Sequence, residues 1–353
     1  MRISVAMATF NGERFIAEQL TSLCAQTRLP DELVVCDDQS SDRTLDLVEQ
    51  FARTAPFEVR IHRNERNLGF GDNFLRAASL CRGDWIAFCD QDDVWLADKL
   101  ATAERYTHLP GRNVLVVAHN ADVVDESLVP SGVRYLNLRK VMVCEGRKLP
   151  NLWVASGFTM LFRADLVRRI PYVDRGPDPS IPGAALAHDV WVCRLARILG
   201  DVVILPQSLV LYRRHAATTS AFLAGGNQRV KESKGLLRQL RTLAVRGADT
   251  YQRHAQAAAH QAAVFGRLAR DPRFAEWGEP LRSAEADYAG LSDWLLDRSR
   301  LYGDPRLSRR IGFLRRLLAA NGHIRFNGYY LRNSRKILKD LSFDLAIAVH
   351  GPR

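Results

Sequence analysis

Apolar stretches of strand length alternate with amphipathic stretches of helical spacing through the first part of the chain. The predicted strands are residues 3–8, 33–36, 57–62 and 85–89, and the predicted helices are residues 14–24, 45–51, 73–81 and a segment from residue 96. An Asn11-Gly12 turn separates the first strand from the first helix. Because strand and helix follow each other in strict order, the pattern predicts an α/β fold with a mostly parallel sheet covered by helices.

The later part of the chain first continues this pattern and then changes. Further elements are predicted as strands at residues 114–118, 156–162 and 202–211, a Pro-, Gly- and Asp-rich loop at residues 174–183, and an amphipathic helix from His188. From about Gly225 onward, Ala, Leu and Arg recur at helical spacing. We therefore predict an α/β domain over residues 1–224 and a basic α-helical region over residues 225–353.

Three carboxylates follow the fourth predicted strand within four positions, at Asp90, Asp92 and Asp93. In an extended chain Asp90 and Asp92 lie on the same side, and two such charges repel each other unless a cation lies between them. A hard divalent ion that also binds substrate phosphate would meet this need. A solvated acidic turn is the alternative, and these residues alone leave it open.

Polar residues follow the other early strands as well. Thr9 comes after the first strand, Asp37-Asp38 after the second and the Gly69 loop after the third. Ligands of open parallel sheets bind beyond the carboxyl ends of the strands. The topology therefore predicts that these residues and the acidic cluster line one cleft.

The formal net charge is +11, and the basic excess lies in the last third of the chain. Residues 1–225 contain 26 Lys and Arg against 27 Asp and Glu, a net of −1, and residues 226–353 contain 24 against 12, a net of +12. Such a region is typical of a surface for anionic lipid, nucleic acid or phosphate-bearing substrate. Its apolar faces with arginine flanks suit a membrane interface or a helical bundle, and both interpretations stay open. No groove-reading or base-stacking motif accompanies the arginines, so nucleic acid is not an expected partner.

The six cysteines show no close pairing, so neither a zinc site nor a disulfide framework is indicated. The N-terminus lacks the apolar core of a secretory signal, and no uninterrupted apolar span of about 18 residues occurs. We expect a cytoplasmic protein, with peripheral contact to the inner face of the membrane as the open question above.

Two long stretches resemble a known family. They are "SVAMATFNGERFIAEQLTSLCAQTRLPDELVVCDDQSSDRT" and "NLGFGDNFLRAASLCRGDWIAFCDQDDVW". Both are similar to family 2 glycosyltransferases, which have the GT-A, Rossmann-like nucleotide-sugar-binding fold. The later "SGFTMLFRADL" and "HDVWVCRLARILGDVVILPQSLVLYRRH" resemble the rhamnosyltransferase-like branch, so the likeness covers about residues 1–220. It implies a nucleotide-binding half over about residues 1–122 and an acceptor half over about residues 123–224.

The resemblance implies roles for residues on the donor side. Thr9 and Phe10 would line the pocket for base and ribose, and Asp38 would accept a hydrogen bond from a pyrimidine imide, with Asp37 bracing the loop. For Phe10 strand-end packing is the alternative, and for Asp38 a helix N-cap. The other donor-binding positions implied are Asn11, Gly69, Asn73, Gln91, Arg213 and Arg214.

The resemblance also implies a metal site and a catalytic base. Asp90 and Asp92 match the D-x-D pair that holds the ribose and a Mg2+ or Mn2+ ion on the diphosphate, and Asp93 would be a further ligand or a support. Asp189 stands at the position of the base, and His188 replaces the first acid of the usual pair. A helix cap is the alternative for Asp189. The acceptor-binding positions implied are Ser156, Gly157, His188 and Trp191.

The implied activity is inverting, metal-dependent transfer of a sugar from a nucleotide donor to a glycan or lipid-linked glycan, as in bacterial surface polysaccharide or O-antigen synthesis. The branch makes dTDP-L-rhamnose the donor we expect. Two other classes stay in view. A phosphatase could use Asp90 and Asp92, although that fold places the motif on its first strand. A non-catalytic nucleic-acid-binding protein would use the basic region.

Overall fold

The computed structural model describes residues 1–136, 138–146, 155–215, 236–320, 344, 345, 347 and 348, and the side chains of 236–246 are not described. The chain forms two compact units. The first comprises Met1–Leu149, Val154–Tyr172 and Ala187–Ala221, and the second comprises Pro150–Trp153, Val173–Leu186 and Phe222–Arg353. The boundary predicted near Gly225 lies outside the described residues.

The first unit is built on one mixed sheet. Its described strands are β1 (Ile3–Thr9), β2 (Glu32–Asp37), β3 (Glu58–Arg63), β4 (Trp85–Cys89), β5 (Val94–Trp95), β6 (Val114–Val124), β7 (Pro130–Arg134), β8 (Met142–Glu145), β9 (Met160–Arg163) and β10 (Asp201–Arg213). The order is β3-β2-β1-β4-β9-β6-β10-β5, with β7 beside β6 and β8 beside β10. Strands β1 to β4 pair in parallel, as the alternating pattern predicts, and β9 runs antiparallel to both β4 and β6.

Helices cover this sheet. They are α1 (Ile16–Cys24), α2 (Thr44–Ala52), α3 (Phe70–Leu80), α4 (Lys99–Glu104), α5 (Asp165–Arg168) and α6 (His188–Leu199). The residues of β1, β2 and β4 are buried throughout, which explains their nearly continuous apolar sequences. This mixed α/β architecture confirms the predicted fold class.

Strand register places the polar strand ends side by side. Thr9 pairs with Asp37 between β1 and β2, and Met7 pairs with Cys89 between β1 and β4. Thr9 and Asp37 therefore end their strands at the same level as the Asp90–Asp93 cluster begins. The predicted convergence at one edge of the sheet follows from this register.

Two predicted boundaries in the first unit are wrong. The strand predicted at residues 114–118 continues to Val124 as β6, so His119 lies inside a buried strand. The predicted strand at 156–162 begins only at Met160, because Gly157–Thr159 forms a 3₁₀ turn. Extension of β6 is explained by its pairing with β10 as far as Arg213.

The second unit contains the helices α7 (Leu236–Arg270), α8 (Gly278–Gly303) and α9 (Leu307–Ala319). Aromatic rings pack between the first two, with Phe265 and Tyr288 centroids 5.4 Å apart. Asp344 is completely buried and accepts hydrogen bonds from Arg298 and Tyr302, both at 2.8 Å. The predicted C-terminal helical region is therefore present. None of the helices in the described ranges combines the length and apolarity that crossing a bilayer needs.

The segment Val173–Leu186 also belongs to the second unit. Arg175 is buried and donates to the Leu186 carbonyl oxygen at 2.5 Å. Gln261 of α7 donates to the carbonyl oxygen of Arg175, and His260 contacts the Asp174 carbonyl at 3.1 Å. The segment predicted as a loop at residues 174–183 is therefore bound to α7 by these contacts.

Candidate active site

The ends of β1 and β4 are tied together by a side-chain amide. The N–H of Phe10 donates to Oε1 of Gln91 at 2.9 Å, and Nε2 of Gln91 donates to the Phe10 carbonyl at 3.0 Å. A Cβ at position 12 would lie 2.3 Å from Oε1 of Gln91, so Gly12 is needed for this approach. Gln91 therefore fixes the first loop against the acidic loop. Phe10 itself is 48% exposed.

The acids at the end of β2 are saturated by protein donors. Asp37 accepts from the Thr9 hydroxyl at 3.0 Å and from the Ser40 N–H at 2.9 Å, so it braces the loop as predicted. Asp38 is buried, and its carboxylate accepts from Nδ2 of Asn64 at 2.7 Å. It also accepts from the N–H groups of Leu68 at 2.7 Å and Gly69 at 2.8 Å.

Two further predicted donor-side residues lie in this hydrogen-bonded framework. Asn73 is buried, and its amide donates to the Cys36 carbonyl at 2.9 Å. Asn11 has a positive φ of 47°, and its Oδ1 accepts from the Ser41 N–H at 2.9 Å. Gly69 has φ 82° at the start of α3, a conformation that favours glycine. The structure therefore brings Thr9, Asn11, Asp38, Gly69 and Asn73 together, with their polar groups largely engaged in holding the loops.

The acids that follow β4 have few hydrogen-bond donors, unlike those at the end of β2. Burial, together with the charges of Asp92 and Asp189, raises the pKa of Asp90 to about 8. Burial and the charges of Asp92 and Asp90 hold the pKa of Asp93 well above its usual range. Within the described residues, the Asp90 carboxyl accepts no hydrogen bond, and the buried Oδ2 of Asp93 has no partner.

Asp92 has a different neighbour, a histidine at the end of β10. Nε2 of His215 lies 2.8 Å from Oδ2 of Asp92, and the His215 ring lies 4.9 Å from the Phe15 ring. The sequence does not predict this contact, because the basic turn that contains His215 gives no sign of which acid it would meet. Its imidazole is a second type of metal-binding group beside the Asp92 carboxylate.

Arg213, a predicted donor-binding residue, is buried behind the acidic loop. Its side chain is 1% exposed, so it is not part of a solvated turn. Its N–H donates to Asp93 at 2.9 Å, and its guanidinium donates to the carbonyls of Asp92 at 2.7 Å and Glu126 at 2.6 Å and also contacts Glu18. These contacts support the acidic loop. Arg214 is partly exposed, and its guanidinium donates to the Tyr212 hydroxyl at 2.8 Å.

The donor set at β4 fits a hard divalent ion. In the described part of the chain no three His, Cys, Asp or Glu are arranged as a closed metal site. Mg2+ bound mainly by substrate phosphates and water, however, needs only one or two protein carboxylates. Asp90 and Asp92 are partly exposed oxygen donors, and Asp93, whose Oδ2 has no partner among the described residues, is a buried acid whose ionised form a cation would stabilise.

Asp189 is the second residue of α6 and reaches the same region. The N–H of Gly157 donates to its Oδ2 at 3.3 Å, and the N–H of Val190 donates to its Oδ1 at 2.7 Å. The charge of Asp189 acts on Asp90 and raises the pKa of that carboxyl. Asp189 is only partly buried. The predicted base and the predicted metal ligands therefore share one electrostatic environment in the first unit.

The residues predicted to bind an acceptor lie in different surroundings. His188 is buried, stacks on Phe74 at 4.2 Å and lies edge-on to Phe88 at 4.7 Å. A Cβ at Gly157 would lie 2.5 Å from Nε2 of His188, so the glycine makes room for the imidazole. Ser156 bonds to the Tyr135 hydroxyl. Trp191 is completely buried in the core, so its predicted contact with an acceptor is wrong for this structure.

A buried lysine beneath the acidic loop was missed by sequence reasoning. Lys99 is the first residue of α4 and is 2% exposed. Its Nζ donates to the Phe158 carbonyl at 2.5 Å and lies 3.9 Å from the centre of the Trp95 ring. Burial lowers the pKa of Lys99 to about 7, against the charges of Cys89, Asp93 and Asp90. A lysine at a helix start gives no signal of burial, because most such residues are solvated.

Comparison with known proteins identifies the class of this domain. The family model described as "Glycosyl transferase family 2" matches residues 4–170. This part of the chain therefore belongs to family 2 of the glycosyltransferases, which confirms the predicted family. The phosphatase alternative also required its motif on the first strand, and the acidic cluster follows the fourth.

Similar proteins are known from several bacteria. An uncharacterised protein of Mycobacterium tuberculosis is 26% identical over 217 residues, which is 61% of this chain and 59% of that protein. The dTDP-rhamnosyl transferase RfbG of Shigella flexneri is 39% identical over 101 residues, which is 28% of this chain and 35% of RfbG. The crystal structure of S. aureus TarS 1-349 in complex with UDP-GlcNAc is similar in fold, with a TM-score of 0.51 and 17% identity over 98% of this chain and 91% of that one.

Proposed function

We propose that the chain is an inverting, metal-dependent glycosyltransferase that moves a sugar from a nucleotide donor to a glycan acceptor. The observation that supports this best is the electrostatic coupling of Asp189 with Asp90, because it joins a candidate base to a candidate cation site. Nucleotide-sugar use is supported by the family and by RfbG, whose name gives a dTDP-rhamnosyl activity.

In the proposed reaction Asp189 accepts the proton of an acceptor hydroxyl. The hydroxyl oxygen forms a bond to the anomeric carbon from the side opposite the leaving group, and the bond from that carbon to the diphosphate oxygen breaks. Its electron pair leaves with the nucleoside diphosphate. A carboxylate held by the Gly157 N–H at the start of α6 is suited to this role.

Asp90 and Asp92 are the proposed holders of Mg2+ or Mn2+. When bound, such an ion supplies positive charge to the diphosphate as the sugar departs. His215 contacts Asp92 directly, so we propose that it orients this carboxylate. Gln91 and Phe10 then hold the nucleotide side of the cleft in place, since their backbone and amide groups are paired.

The finer assignment is the donor and its biological setting. We propose a dTDP-activated deoxyhexose, with L-rhamnose as the first candidate, and a growing or lipid-linked bacterial glycan as acceptor. Support comes from the 39% identity with RfbG over 101 residues. The basic residues of the C-terminal region would favour an anionic membrane surface that carries a lipid-linked acceptor. Exposed Leu307, Ile311 and Leu318 on α9 are the apolar side chains that would enter its interface.

A thermal-shift screen tests the proposed function. Nucleoside diphosphates and nucleotide sugars are added with Mn2+ and with a chelator. A ligand at 100 times its Kd stabilises the folded state by about 2.7 kcal/mol. We expect a rise in Tm with a dTDP or UDP compound and Mn2+, and a much smaller rise with the chelator. No shift with any nucleotide in the presence of Mn2+ would contradict the proposal.

A further inference from the structure

We propose that Lys99 is a positioning residue that links the cation-binding acids to the turn that holds the base. This inference rests on the proposed function for the identity of the two sites, and on the contacts of Lys99 for the link between them. The lysine touches neither substrate nor the reacting atoms in this account.

The first part of the link is a charge. Lys99 is 2% exposed, and its positive charge interacts with two acids of the site, Asp90 and Asp93. A buried lysine is rare unless it is paired with an anion. Asp93 has no hydrogen-bond partner for its Oδ2 among the described residues, and the charge of Lys99 lowers the pKa of that carboxyl against the effect of burial.

The second part is a hydrogen bond to the base-holding turn. The Nζ of Lys99 donates to the carbonyl of Phe158, in the centre of the Gly157–Thr159 turn. The neighbouring N–H, that of Gly157, donates to the carboxylate of Asp189. A shift of the Phe158 carbonyl therefore moves the donor that orients Asp189.

A third set of contacts connects the Phe158 turn to Asp93 through the end of β10. The Phe158 ring stacks on Tyr212 with 4.5 Å between centroids and 10° between planes. The next residue, Arg213, donates its N–H to Oδ1 of Asp93 at 2.9 Å. Lys99, the Phe158 turn, the end of β10 and Asp93 thus form one connected set. The face of Trp95 holds the ammonium group in place at 3.9 Å.

A purely structural role is the competing account. In that case removal of the amino group would lower stability, and the remaining folded protein would bind metal and turn over normally. Positioning makes a different prediction, because residues that orient metal ligands from behind typically change metal affinity or activity by about 10–100-fold when they are replaced.

The test compares Lys99→Met with Lys140→Met, a control at an exposed lysine. Mn2+ binding to the substrate-free protein is measured by electron paramagnetic resonance, and the folded fraction by circular dichroism. Loss of the ammonium charge alone would strengthen Mn2+ binding. Because misplacement of the acids outweighs this effect in our proposal, we expect Lys99→Met to weaken Mn2+ binding per folded molecule by about 10–100-fold and to lower kcat at saturating donor. Lys140→Met should match the wild type, and Lys99→Arg should recover part of the Mn2+ affinity.

A second variant keeps the test decisive if Lys99→Met does not fold. Asp93→Asn removes the ionisable group on which the charge of Lys99 acts, so Lys99→Met/Asp93→Asn is compared with Asp93→Asn alone. We expect the double variant to bind Mn2+ more weakly and to turn over more slowly than the single one. Equal Mn2+ affinity and equal kcat in the two would overturn the inference. Absence of Mn2+ binding by the wild type would instead count against the proposed function.

Discussion

The acids at the ends of β2 and β4 lie at the same edge of one sheet, but their surroundings differ. Asp37 and Asp38 accept hydrogen bonds from Thr9, Ser40, Asn64, Leu68 and Gly69. Loss of hydration and the charge of Asp92 raise the pKa values of the Asp90 and Asp93 carboxyls. Saturated acids hold loops in place, whereas acids short of donors can accept a cation.

The largest expected change is a loss of turnover on replacement of Asp189, which belongs neither to the acids after β2 nor to those after β4. Because general-base catalysis contributes about 10²–10⁴-fold, Asp189→Asn should lower kcat by that factor and leave donor affinity unchanged. Turnover is measured with the nucleotide sugar found by thermal shift, and affinity by calorimetry. Near-normal turnover would remove Asp189 as the base. A fall in donor affinity of equal size would place it with the donor-binding acids.

Removal of the Asp38 side chain tests whether the acids after β2 stabilise the loops through their hydrogen bonds. Asp38→Ala leaves the buried Asn64 amide and two backbone N–H groups without their acceptor. Because an unsatisfied buried donor costs about 1–3 kcal/mol, the free energy of unfolding should fall by about 3 kcal/mol, as measured by urea denaturation. Asp46→Ala, at an exposed position of α2, is the control and should change it little. If both variants are equally stable, the hydrogen bonds of Asp38 do not hold the loop.

Replacement of Asp90 should change the free energy of unfolding by a smaller amount than replacement of Asp38, and in the opposite direction. Its pKa in the folded state, about 8, lies above the ordinary value for Asp, so the folded protein retains a proton that the unfolded chain has lost. Stability of the metal-free protein should therefore fall as the pH rises from about 4 to about 8. Asp90→Asn should raise the free energy of unfolding at pH 8 by about 1 kcal/mol and flatten this pH dependence. If Asp90→Asn is less stable than the wild type at pH 8, the ionised Asp90 carboxylate does not destabilise the folded protein.

The sequence predicted the fold through periodicity, since the apolar runs of β1, β2 and β4 are buried along their whole length. It also predicted which strand ends meet, because parallel register follows from topology. It did not predict which aspartates would be surrounded by hydrogen-bond donors and which would lack them. Hydrogen-bond donors for Asp38 come from residues 26 to 31 positions away, and neighbours of Asp92 and Asp93 come from β10, more than a hundred positions away.

The same limit explains the individual errors. Trp191 follows Asp189 closely in the sequence, but the helical turn directs it into the core. Arg213 and Lys99 are charged residues beside turns, and burial by distant elements gives them roles behind the acidic loop. Predictions that fell on residues 216–235 and 321–343 lie outside the described residues.

Direct titration of Mn2+ into the wild type, Asp92→Asn and Asp38→Asn tests the central comparison most directly. We predict that the wild type and Asp38→Asn bind Mn2+ with similar affinity per folded molecule, and that Asp92→Asn loses most of this binding. Equal binding by Asp92→Asn, or its selective loss in Asp38→Asn, would contradict the assignment of the cation to the loop after β4.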